Sequence, residues 1–146
     1  MSGIVCAIRG GPASQPTIEQ AIATAKETGL SLYFVYIVNL DFLSHTASSR
    51  VQIVSEEMRQ MGEFILLAAQ SQAAAHAIAT EGEVRHGNVR EEIIKLCRKI
   101  QADYLVLGYP HPRQEQSLFT HEALAEFSTH IEEQTGAKVI LAGGQT

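Results

Sequence analysis

Arg9, Gly10, Gly11 and Ser14 lie where a short apolar run gives way to a helical pattern. A helix N-terminus offers free backbone N–H groups and the positive end of the helix dipole, glycine lets the chain close around an anion, and a guanidinium adds a full charge. The turn is a candidate site for a small anionic or nucleotide ligand, set against the plainer alternative of a surface arginine beside a tight turn. Gly87 and Asn88 repeat the logic before another helical pattern, although Asn88 with Glu91 three residues on also makes an ordinary helix cap. Gly108, His111, Arg113 and His121 follow a third apolar run and would meet an anion lying over the ends of the strands.

Other chemistry has less to stand on. Ser117 and Ser128 lack an adjacent base and orienting acid, no nucleophile elbow occurs, and no paired carboxylates stand at strand ends beyond Asp41. His111, His121 and His130 are ten and nine residues apart, unlike the tight pairs of structural zinc sites, and no cysteine joins them. Cys6 and Cys97 sit inside apolar patterns and read as buried, reduced thiols. No catalytic residue and no metal ligand is therefore assigned.

The elements that would position these residues alternate between strand and helix. Ile4 to Ile8 is an apolar run ending at Arg9-Gly10-Gly11-Pro12, a strand and its breaker. Ile18, Ala21, Ile22 and Ala25 recur at helical spacing, with Ser14 or Thr17 to cap the start and Thr28-Gly29 to stop the helix. Leu30 to Val38 is almost wholly apolar and β-branched or aromatic, as a central strand covered on both faces must be. Val51, Val54, Met58, Met61, Ile65 and Ala68 then predict one long amphipathic helix running to about Ala79, and the stretch Met58, Met61, Phe64, Ile65, Leu67 reads as its core-facing side, set against the alternative of a partner-binding face. Val84 to His86 is a short strand, Asn88 opens a helix carrying Ile93, Leu96, Cys97 and Ile100, and Asp103 to Gly108 is a strand. Tyr109 to Gln116 is a polar loop, Ser117 to Thr135 a helix, and Lys138 to Ala142 the last strand. Strands joined through helices need parallel crossovers, so the expected fold is α/β, an open parallel sheet with helices on both faces in the Rossmann-like manner. In such sheets ligands bind beyond the carboxyl ends of the strands, where the strand order reverses.

The bulk properties agree with one soluble domain over residues 1–146, with 45% hydrophobic and 18% charged residues and a net charge of -5. Scattered basic residues and a pI of about 5.6 argue against a nucleic-acid or anionic-membrane surface. The first residues carry no basic leader and no run approaches a membrane span, so a cytoplasmic location is expected.

Three stretches, taken in order and spacing, resemble the universal stress protein family of the UspA-like type. They are Val5-Cys6-Ala7-Ile8-Arg9-Gly10-Gly11 with Ser14, then Val84-Arg85-His86-Gly87-Asn88 with Glu92-Ile93-Ile94, then Asp103-Tyr104-Leu105-Val106-Leu107-Gly108. The resemblance implies a five-stranded parallel sheet, a stress-response role, a homodimer formed around the last strand, Lys138, Val139, Ile140, Leu141 and Ala142, and in many members ATP or another adenine nucleotide at the strand ends. Its ATP-binding members carry an Asp after the first strand and a glycine-rich loop after the fourth. Here Arg9 replaces the Asp, Gly108 keeps the first glycine, His111 and the His121-Glu122 region stand at the next two, and Pro110 and Pro112 interrupt the loop. Proline removes N–H donors, so this loop cannot form the same phosphate cradle. A non-catalytic member is expected, with a slowly hydrolysing ATP binder as the alternative. Gly10-Gly11-Pro12-Ala13-Ser14 also partly matches the pyrophosphate loop of ATP pyrophosphatases, but Arg9 and Ala13 replace its first Ser and its Asp.

Overall fold

Apolar runs too short for helices become four of the five parallel strands among the described residues, the fifth being a polar edge strand, and the helical patterns between them become four helices. The computed structural model describes residues 3–9, 14–39, 48–108 and 121–142. In chain order the elements are β1 (Ile4–Ala7), α1 (Gln15–Thr28), β2 (Leu32–Val38), α2 (Ser48–Ala74), β3 (Thr80–His86), α3 (Val89–Ile100), β4 (Tyr104–Gly108), α4 (His121–Thr135) and β5 (Lys138–Ala142). The expected loop at 109–116 and helix residues 117–120 lie outside the described residues.

The sheet runs β3-β2-β1-β4-β5, all parallel, so the order reverses between β1 and β4. Alternate residues of each strand face opposite layers. Ile4, Cys6, Ile8, Phe34 and Val106 pack with Ile18, Ala21, Ile22, Leu66 and Ala69 under α1 and α2. Val5, Val35, Leu105 and Leu107 pack with Ile93, Leu96, Phe127 and Ile131 under α3 and α4. Both cysteines are buried and unpaired, one in each layer. Helices α1 and α4 end alike, at Gly29 (φ 75°) and Gly136 (φ 77°), whose N–H groups donate to the carbonyls of Ala25 and Glu132.

Two expectations about the middle of the chain are corrected. Helix α2 stops at Ala74, not near Ala79, and β3 begins at Thr80, four residues before Val84. The segment is alanine-rich and favours helix throughout, so its stop is set by tertiary structure. Ala77 takes a left-handed φ of 59°, the Ile78 N–H donates to the Ala73 carbonyl, and β3 then pairs with β2 from Leu32↔Thr80 to Val38↔His86. β3 was hard to see because it is an edge strand, exposed at Glu81, Gly82 and His86, with no apolar run to announce it.

The second correction concerns which side of α2 faces the sheet. Leu66, Ala69 and Ala73 are buried and Met58 and Ile65 partly so, whereas Met61, Phe64 and Leu67 are exposed. The buried stripe is displaced by one residue from the expected one, a rotation of about 100°. Gly62 explains the choice: a Cβ there would lie 2.5 Å from Cδ1 of Tyr36. The bulk between helix and sheet is supplied by Phe34 and Tyr36 of β2, so α2 must present its small side chains inward.

Candidate functional site

At the carboxyl ends of the strands, β1 and β4 part and leave the crevice that this topology provides. Their pairing ends at Cys6↔Val106; beyond it Ile8 stays with β2 through its N–H to the Val35 carbonyl and Gly108 stays with β5, so Arg9 and Gly108 follow on opposite sides of the opening. The first turn of α1 stands over the opening. Ser14 occupies its N-cap position, yet its side chain does not cap the helix. With φ -85° and ψ -14° it is already in the helical region, whereas a capping serine is extended. Its hydroxyl serves the residue after β1 instead: it accepts from the Arg9 N–H at 3.0 Å and donates to the Arg9 carbonyl, which holds Arg9 against the start of α1. The early N–H groups of α1 are left without a side-chain cap from Ser14, and Pro16 in the first turn has none to offer.

Thr17, not singled out as a site residue in the sequence, belongs to this crevice. It is buried, and a Cβ on Gly108 would come within 2.7 Å of its Oγ1. Gly108 therefore keeps β4 and α1 in close contact, a role for glycine that spacing alone does not disclose. The one available signal was Thr17 falling beside Ile18 on the apolar side of α1, where a hydroxyl is out of place. Gly10, Gly11, His111 and the side chain of His121 lie outside the described residues.

Gly87 and Asn88 are on the same rim but not at the switch point. β3 is separated from β4 by β2 and β1, about 14 Å at ordinary strand spacing. Asn88 Oδ1 accepts from the Glu91 N–H at 3.1 Å and so caps α3, while the Gly87 N–H donates to the Val38 carbonyl. Gly87 is favoured by a φ of 138°, which other residues rarely adopt, and an added Cβ would also press on Glu92 Oε2 at 3.2 Å. Glu92 is the centre of a charged cluster that the sequence reading left without a role. Its carboxylate accepts from Arg85 Nε at 2.9 Å and Lys95 Nζ at 3.1 Å, and Arg85 also reaches Glu83 at 3.3 Å. Burial pushes the Glu92 carboxyl up, but the bonds from Lys95 and Arg85 outweigh it and hold the group below the usual carboxylate range. The thiols are the opposite case: burial pushes Cys97 up to about 12 and Cys6 up as well, which leaves neither poised as a nucleophile.

The same architecture recurs in solved proteins. A universal stress family protein from Burkholderia pseudomallei superposes with a TM-score of 0.71 at 19% identity, covering 94% of this chain and 92% of that one. The universal stress protein UspA of Lactobacillus plantarum gives 0.75 at 15% identity and covers 97% of each chain. The universal stress protein of Archaeoglobus fulgidus, solved in complex with dAMP, gives 0.61 at 14% identity over 98% of each chain. At such identities the likeness speaks for the fold alone. No curated protein matches the sequence. Family membership rests on the sequence: the model of the universal stress protein family matches residues 1–121, well over half of the chain. The chain therefore belongs to the universal stress protein family.

Proposed function

We propose that this is a non-catalytic stress-response protein that takes a small anionic ligand, an adenine mononucleotide, at the rim where β1 and β4 part. The observation that carries the reading is the crevice itself. An α1 N-terminus that Ser14 does not cap stands over it, and Gly108 brings no side chain into it. The dAMP complex of the Archaeoglobus relative supports the choice of ligand class. Asn88 and Gly87, about 14 Å along the rim, lie at a distance a nucleotide can bridge and a lone phosphate cannot. Arg9, Gly10, Gly11, His111 and His121 complete the proposed binding set.

Calorimetry with AMP, dAMP and Mg-ATP tests it. AMP or dAMP binds and, at a hundred times its dissociation constant, stabilises the fold by about 2.7 kcal/mol. Mg-ATP binds no more tightly than AMP, because the two added phosphates find no glycine cradle after Gly108. Thr17→Val, which keeps the shape of a buried side chain at the crevice and removes its hydroxyl, weakens binding without lowering the melting temperature of the free protein. Absence of any heat with all three nucleotides would sink the proposal. Tight Mg-ATP binding with release of inorganic phosphate would replace it by the hydrolysing alternative.

The same reading makes the protein a homodimer through β5. Of the two sheet edges, β3 carries Glu81, Glu83 and Arg85, the charges that protect an edge from pairing, whereas β5 has only Lys138. Val139 turns its N–H outward to the Glu132 carboxylate at 3.1 Å, so Glu132 must release it when a second β5 arrives. Val139 and Leu141 also pack against the α3 and α4 layer, so they serve the core as well as the proposed interface.

A further inference from the structure

Four large apolar side chains of α2 stand in solvent: Ile53 is 59% exposed, Met61 56%, Phe64 74% and Leu67 63%. At helical spacing they form one stripe, on the side opposite Gly62, Leu66, Ala69 and Ala73. Each leaves on the order of 100 Å² in water. Together they match the largest apolar patch of a typical soluble monomer, the kind that marks an interaction site.

The distribution of charge along α2 says what covers the stripe. Arg50, Glu56, Glu57, Arg59 and Glu63 all precede Phe64, and from Phe64 to Ala74 there is no charged residue. Arg59 is already held between Glu56 and Glu63. A parallel partner helix of the same sequence would lay Glu57 against Glu57. An antiparallel one lays the charged half on the uncharged half.

The geometry points to a second copy of this chain, its α2 packed antiparallel on this α2 about a two-fold axis at Phe64. Met61 then meets Leu67 of the partner subunit, Gln60 meets Ala68 of the partner subunit, and Glu57 meets Ser71 of the partner subunit. Phe64 and the Met61 and Leu67 pairs form an apolar centre, the outer positions set polar against small side chains, and no like charges oppose. The contact is isologous, as a two-fold requires. The eight large apolar side chains offer at most about 800 Å² of apolar surface, the larger part of the roughly 1,200 Å² at which specific interfaces begin. Helix α2 packs on β2 and β3, away from β5, so this pairing does not compete with one through the opposite sheet edge.

Crosslinking and light scattering decide the matter. Phe64→Cys on the axis is joined to itself by a short bismaleimide, while Gln52→Cys, about 36 Å from its symmetry mate along paired helices, is not. Cys6 and Cys97 are buried and do not interfere. Leu141→Pro, which removes an outward-facing donor of β5, leaves a dimer, and adding Leu67→Glu brings the mass down to 15.9 kDa with an unchanged circular dichroism spectrum. Equal crosslinking at both positions overturns the antiparallel pairing. No crosslinking at Phe64→Cys, a mass unaffected by Leu67→Glu, or a different protein held on this face and released by Leu67→Glu overturns the second copy as its occupant.

Discussion

Glu92 sits 9% exposed at the start of α3, where burial by itself pushes a carboxyl's pKa up. Arg85 from β3 and Lys95 one turn along α3 reverse that preference, so the cluster ties an edge strand to a helix through charge. Because the folded pKa lies below the unfolded one, the stability Glu92 supplies is complete above about pH 4.3, the ordinary glutamate value, and is lost as pH falls through the folded value. Glu92→Gln should accordingly lower the melting temperature at neutral pH, with the gap to the parent closing in acid. A gap of the same size at pH 7 and in strong acid would assign the loss to packing rather than charge. At this scale the sequence discloses little. Arg85 and Glu92 are seven residues apart on different elements, and Thr17 and Gly108 are further still, so only the folded registers bring them together. Asn88 is the exception, because a cap and the N–H it binds are three residues apart on one chain segment.

Elements were legible where their signals are local. Helix α3 has its cap, acidic residues at Glu91 and Glu92, basic ones at Arg98 and Lys99, and one apolar stripe, all of which appear in the sequence. Asn88→Ala should cost about 1 kcal/mol, read as a shift in the denaturant midpoint at constant slope. Asn88→Ser, which restores an acceptor, should recover most of it. Failure of the serine to recover anything would move the role of Asn88 from the helix to the rim. Ser14 shows the limit of the same reasoning. It has the right type and place for a cap, but its hydroxyl was claimed by Arg9, a partner just after the preceding strand. Helix α2 fails differently: apolar residues line two sides, and which side meets the sheet depends on Phe34 and Tyr36 in another element.

For the molecule as a whole, the alternation of strands and helices was enough to reach an open parallel sheet, since a parallel pair cannot be closed by a hairpin. The strand order was not contained in that alternation and is read from the structure alone. Among the described residues no helix is long and apolar enough to cross a membrane. If β5 pairs with a second β5, light scattering of the parent gives at least twice 15.9 kDa, and Glu132→Ala, which frees the Val139 N–H, does not weaken the assembly. A monomer at micromolar concentration in which Glu132→Ala triggers association would instead make Glu132 a guard of that edge. The central position of β1 has a further consequence, in time rather than space. Its neighbours are β2, which follows at once, and β4, which is made only after residues 104–108. During synthesis Ile4–Ala7 waits with one bare side through three helices and two strands, and a refolding chain must close a loop of nearly a hundred residues to cover it. The chain therefore folds more slowly than a helical bundle of its length, and the late arrival of β4 both covers the bare side of β1 and forms the crevice between them, before β5 closes the sheet.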